Sequence, residues 1–178
     1  MRLFRFVMAL GVLMLAPVAA FALDSPSYKL VEAGYLDIGD GDSSASESGW
    51  FAGAMYGGQR WQAFVEYDDA SDISLLFIGA GWHGLLGEKA DLVAQISYLD
   101  AEAGSSSESG YRATGGARWQ VLQFLEVAGF FHYTDLDGSD EAFEVRVVGN
   151  IKRFGIGASY ETNSIDITKV FVRWNFGR

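Results

Sequence analysis

RWQAFVEYDD, residues 60–69, sets Trp61, Ala63, Val65 and Tyr67 on one alternating series against Arg60, Gln62, Glu66 and Asp68 on the other. Successive side chains leave opposite faces of a pleated backbone, so this period of two describes a strand with one apolar and one polar side. Two architectures use such a strand in opposite senses. A soluble sandwich or barrel turns the apolar side inward, whereas a membrane barrel turns it toward lipid. The rest of the chain decides between them.

The N-terminus narrows the choice. Arg2 and Arg5 precede the apolar run Phe6 to Val18, and Ala20-Phe21-Ala22 has the small-residue pattern of a signal-peptidase site. Residues 1–22 therefore read as a secretory signal peptide and 23–178 as one domain. Loss of the two arginines takes the formal net charge from −10 to −12. An acidic chain of this kind is a poor partner for nucleic acid, whose phosphates are bound through Lys and Arg. There is no cysteine, which excludes thiol chemistry and disulfides. Although 49% of residues are hydrophobic, no later window is apolar for long enough to make a spanning helix. A membrane span must be built from strands.

Ten strands are expected, at 28–38, 49–57, 60–68, 73–83, 91–99, 110–119, 124–134, 142–150, 153–161 and 165–176, with eight as the alternative count. An even number brings both termini to one side, as an antiparallel up-and-down membrane barrel requires. The connections sort into two kinds. One set is acidic and rich in Ser and Gly: 39–48, 68–72, 100–109, 134–141 and the short 162–164. The other set, 57–59, 84–90, 120–123 and 150–153, carries little acid. The expectation is long extracellular loops at one end and tight periplasmic turns at the other, with both termini periplasmic.

The aromatic residues choose the face. Trp50, Trp61, Tyr67, Trp82, Tyr98, Tyr111, Trp119, Tyr133, Tyr160, Trp174 and Phe176 all fall on the apolar series, near strand ends, with Ala, Val, Ile, Leu and Gly between them. Where a strand carries two, the spacing corresponds to bands roughly 15 to 20 Å apart along the barrel axis. Such bands are the interfacial girdles of a lipid-facing wall. The opposite face mixes charges of both signs with glycines, as a narrow interior requires. The apolar face of residues 60–69 is thus expected to meet lipid.

The stretches YKLVEAGYLDI (28–38), DLVAQISYLDAE (91–102), FGIGASYET (154–162) and TKVFVRWNF (168–176) carry a resemblance to the outer-membrane β-barrel proteins of Gram-negative bacteria, in particular the small opacity-type and OmpX-like barrels. The resemblance implies a transmembrane all-β barrel in the outer membrane. It also implies outer-membrane lipid, lipopolysaccharide and the barrel-assembly machinery as partners. In that family the last strand ends on an aromatic residue. Here Phe176 is followed by Gly177 and Arg178.

The candidate site is the set of charges on the inward face: Glu32, Arg112, Arg118, Glu126, Glu144, Arg146 and Arg173. Counting from the turns puts Arg118 opposite Glu126, and Glu32 level with Arg173 on the strands that close the barrel. These are expected to be ion pairs filling a narrow interior, with a polar pore as the alternative. No catalytic, cofactor-binding or metal-ligating residue is assigned, because no nucleophile, base and orienting group are spaced to meet. His132 with Asp135, near Glu66 and Asp68, is the closest approach to such a set. The acidic runs around Asp40 to Asp42 and Asp135 to Glu141 suggest at most loose contact with divalent cations. The expected role is a non-enzymatic one in the cell envelope, with a narrow porin-like channel as the alternative and a barrel enzyme acting on lipid or peptide as the remotest case.

Overall fold

The computed structural model describes residues 26–40, 46–162 and 165–176; residues 1–22, expected to be a signal peptide, and the loop positions 41–45 and 163–164 lie outside them. Ten strands form one closed antiparallel barrel: β1 (Lys29–Asp40), β2 (Ser46–Gly57), β3 (Trp61–Ala70), β4 (Ile73–Leu85), β5 (Ala90–Ala103), β6 (Ser106–Leu122), β7 (Leu125–Asp135), β8 (Ser139–Ile151), β9 (Phe154–Thr162) and β10 (Ile165–Asn175). Each strand pairs with its sequence neighbours, and β10 closes onto β1 in a register running from Leu30 opposite Asn175 to Asp40 opposite Ile165. Closure leaves no free edge, so backbone polar groups along the wall are met by neighbouring strands. No helix of the described residues is long and apolar enough to cross a membrane.

The two faces are those that the alternation predicts. Trp61 is 70% exposed on the outside, whereas its neighbour Gln62 is 3% exposed inside. Trp50, Trp82, Tyr98, Tyr111, Trp119, Trp174 and Phe176 are likewise exposed, with Val65, Ile78, Ile96, Ile156 and Val172 forming the apolar wall between them. Tyr67, Tyr133 and Tyr160 are half-buried, and Tyr67 and Tyr133 rest against outward neighbours, Tyr67 on Trp50 and Tyr133 on Tyr111.

The connections differ from the expectation of long loops at one end. The stretch 100–109 continues as strand: Asp100 pairs with Ser109, Glu102 with Ser107 and Ala103 with Ser106, leaving Gly104 and Ser105 as a two-residue hairpin loop. Gly104 has φ +59°, a backbone conformation that glycine adopts without a Cβ penalty. Residues 71–72 form another two-residue connection and 136–138 a three-residue one. At the opposite end, 86–89 is longer than these. Ser- and Glu-rich chain reads as loop by composition, yet hydrogen bonding between two extended strands needs only a turn that sets their register. Among the described residues, the acidic end is therefore made of strand hairpins with tight turns.

The interior is also less polar than the sequence suggests. Leu36, Ile38, Phe51, Ala70, Val148, Ile167 and Phe171 form a buried apolar cluster, in which Phe51 and Phe171 meet edge to face at 5.8 Å. Glycine makes the space: a Cβ on Gly157 would come within 2.6 Å of the Phe171 ring. The Phe171 ring thus lies over the neighbouring strand at a position that lacks a side chain.

Candidate functional site

Most of the inward charged residues converge on a connected lattice in the middle of the barrel. Glu32 and Arg173 are direct partners in the register of β1 and β10, and Arg173 Nε donates to Glu32 Oε1 at 2.5 Å. Arg173 Nη1 also donates to Glu126 Oε1 at 3.1 Å. Arg118 grips the same carboxylate, with Nη2 at 2.9 and 3.1 Å from its two oxygens and Nε at 3.2 Å. Glu126 is 1% exposed, so burial penalises its charge and two guanidinium groups offset that penalty. Arg146 donates from Nη1 to Glu32 Oε2 at 3.0 Å and from Nε to Glu144 Oε1 at 3.3 Å.

The Arg118 to Glu126 contact corrects the expected register. Arg118 faces Ala128 and Gln120 faces Glu126, because the turn between β6 and β7 lies at Gln123 and Phe124, further along the chain than Leu122; the pairing also shifts between Gln120 and Leu122. The two side chains meet diagonally, and Arg is long enough to span that offset. Counting residues from a turn gives the register only when the turn's centre is known.

Two further groups lie beside this lattice. Lys169 Nζ is 2.7 Å from both Glu66 Oε1 and Asp68 Oδ2 and sits over the Phe51 ring. Arg112 is paired with Glu161 at 3.2 Å, donates to Thr134 Oγ1 at 3.0 Å and lies over Phe77. His132 is held between Thr114, whose Oγ1 is 2.8 Å from Nδ1, and Glu144, whose Oε2 is 3.3 Å from Nε2. Asp135 is not its partner. Three residues on along a strand, it belongs to the outward face beside Tyr111. The order hydroxyl, imidazole, carboxylate in Thr114, His132 and Glu144 is that of an acyl-transfer triad. The Glu144 carboxylate is shared with Arg146, and the space left for water-sized molecules among these side chains is about 130 Å³, room for on the order of ten waters.

Sequence reasoning missed the cap at the terminal end. Tyr28, just before β1, turns into the barrel mouth and is 7% exposed. Its ring stacks on His83 at 3.6 Å with 12° between planes, Arg118 lies over the ring at 4.7 Å, and its hydroxyl donates to Asp91 Oδ2 at 3.0 Å. Arg118 Nη1 also donates to the Ser27 carbonyl at 3.2 Å, which ties this segment to the lattice. Around it Gln62, Gln120, Asn150 and Asn175 form a buried polar collar. The one available signal was Asp91, which shares the inward series of Val93 and Gln95.

The barrel is similar to two solved structures. One is the KdgM porin in complex with disordered oligogalacturonate, at TM-score 0.52 and 10% identity, and the other is the KdgM porin, at TM-score 0.50 and 12% identity. Each likeness covers 83% of this chain and 99% of that one. No family model matches the sequence, and no curated protein matches it. At such identities the likeness concerns the fold: a closed antiparallel membrane barrel of the outer-membrane type.

Proposed function

We propose that this outer-membrane-type barrel is a narrow, ion-pair-gated channel, non-enzymatic, inserted in the outer membrane with its termini periplasmic and its acidic hairpins outward. The observation that carries this reading is the shared lattice of Arg118, Glu126, Arg173, Glu32 and Arg146. It obstructs the lumen with side chains that share partners, since Glu126 and Glu32 are each held by two arginines, and Arg173 and Arg146 each reach two carboxylates. Exchange among such partners opens a path without breaking the wall, whereas a purely apolar filling would require repacking. Orientation rests on the contrast between the acidic hairpins and the terminal end. Lipid, lipopolysaccharide and the barrel-assembly machinery are the partners this placement entails. The narrower likeness to opacity-type and OmpX-like barrels belongs to the same reading.

Solute selectivity follows from the pairing. Oligogalacturonate, named for the KdgM complex, is a sugar acid. Here Arg112, Arg118, Arg146, Lys169 and Arg173 are each engaged by carboxylates, so a polyanion meets no free cationic track. Small cations and neutral solutes suit this interior better.

The test is single-channel recording of the folded chain in planar bilayers. Wild type should show small, intermittent conductance, and the Glu32→Ala/Arg173→Ala double variant should show larger and longer openings. A large steady wild-type conductance would mean an open porin. Silence in both, with the barrel folded, would leave a structural role.

A further inference from the structure

We infer that His132, Glu144 and Glu161 form a three-ligand site for a divalent transition ion of the zinc class on the inner wall of the barrel, a role separate from the gate.

The three residues come from consecutive strands, β7, β8 and β9. Glu144 and Glu161 stand directly opposite one another in the register. Like charges in that position destabilise a strand pair unless a cation lies between them. Arg112 and Arg146 serve only in part. Arg146 takes the Oε1 side of Glu144, and Arg112 approaches Glu161 at 3.2 and 3.3 Å. Glu144 Oε2 and Glu161 Oε2, the second shared with Arg112 Nη1, turn toward the imidazole: His132 Nε2 is 3.3 Å from Glu144 Oε2 and 3.9 Å from Glu161 Oε2. All three ligand atoms lie within 4.8 Å of one another.

Zinc binds nitrogen and carboxylate oxygen at about 2.0 to 2.2 Å, so donors around a tetrahedral ion are roughly 3.3 to 3.5 Å apart. Of the three separations, one is already in that range, a second reaches it by a shift of about half an ångström, and the third, between the two carboxylates, is no more than 4.8 Å before any ion draws them together. Thr114 supplies the outer contact that an imidazole ligand ordinarily has. With its hydroxyl accepting from Nδ1–H, the Nε2 lone pair faces the two carboxylates. One imidazole with two carboxylates suits Zn²⁺ and its neighbours better than Ca²⁺, which takes six to eight oxygens. Charge points the same way. Glu66, Asp68 and Asp91 join the four lattice and wall glutamates against five basic side chains, so this central part of the interior has two more carboxylates than cations.

The test uses the metal-stripped chain, folded in detergent and shown to be folded by its gel mobility before and after heating. Zn²⁺ is titrated by calorimetry and Co²⁺ by visible absorption. One-to-one saturation is expected, with intense Co²⁺ d–d bands typical of four-coordination. His132→Ala should abolish the bands. Glu144→Gln and Glu161→Gln should each weaken binding by more than the roughly 10- to 100-fold that loss of an outer partner costs, and Thr114→Val should fall within that range. If His132→Ala fails to fold, His132→Gln takes its place. The inference is overturned if wild type shows no saturable binding, if binding survives both His132 variants, or if binding is lost in Asp135→Asn/Asp137→Asn at the acidic end. None of these readings depends on conductance, so they leave the channel proposal to be judged separately.

Discussion

Arg173 and Glu32 face each other across the seam where the last strand closes on the first, 141 residues apart in sequence and 2.5 Å apart from Nε to Oε1. Arg173 is 2% and Glu32 6% exposed, so this pair links closure of the wall to filling of the lumen. Removing one partner leaves the other charge buried, which costs about 3 to 5 kcal/mol in a dry site. Arg146 beside Glu32 and Glu126 beside Arg173 soften that loss.

A double-mutant cycle on Glu32→Gln and Arg173→Gln, read by urea unfolding in lipid vesicles, should therefore show a coupling of about 1 to 3 kcal/mol. Additive single variants would mean that the seam is held by backbone pairing alone.

The cap at the terminal end makes a second prediction. Tyr28→Phe removes the hydrogen bond to Asp91, whose other oxygen has no protein partner. A loss of about 1.5 to 3 kcal/mol is expected for a bond to a buried carboxylate. Asp91→Asn should recover part of it in the Tyr28→Phe background by removing the charge. Equal stability of Tyr28→Phe and wild type would show that stacking on His83 carries the cap by itself.

Lipid exposure can be tested at adjacent positions of β5. Ile96 is 60% exposed on the outer wall, while Gln95 faces the interior. Ile96→Arg should cost roughly 2 to 4 kcal/mol when the barrel is folded into a bilayer, and Gln95→Arg distinctly less. Equal costs would contradict the assignment of faces.

Orientation is tested with introduced thiols, since the chain has no cysteine of its own. Ser105→Cys, at the tip of the β5–β6 hairpin, should label with an impermeant maleimide on intact cells. Gln59→Cys and Glu88→Cys, at the terminal end, should label only after the envelope is opened. The reverse pattern would invert the proposed placement.

Strand positions and faces were legible in the sequence because each follows from a local rule. Period-two alternation gives the strand, and the rings of Trp61, Trp82 and Trp119 mark its outer side. The ten segments and their up-and-down order follow from counting such stretches. Long-range geometry decided the rest. Ser106 to Ser109 looks like loop, yet Gly104 lets it pair with the end of β5. Arg118 meets Glu126 along a diagonal set by where the turn falls, and Tyr28 reaches Asp91 only once β1 and β5 are walls of one closed cylinder. His132, Glu144 and Glu161 are spread over thirty positions and come together through the pairing of three strands. Alternation is written into each strand, but the height at which one inward side chain meets another depends on turns, shear and closure. Those are properties of the whole sheet, and no single segment encodes them.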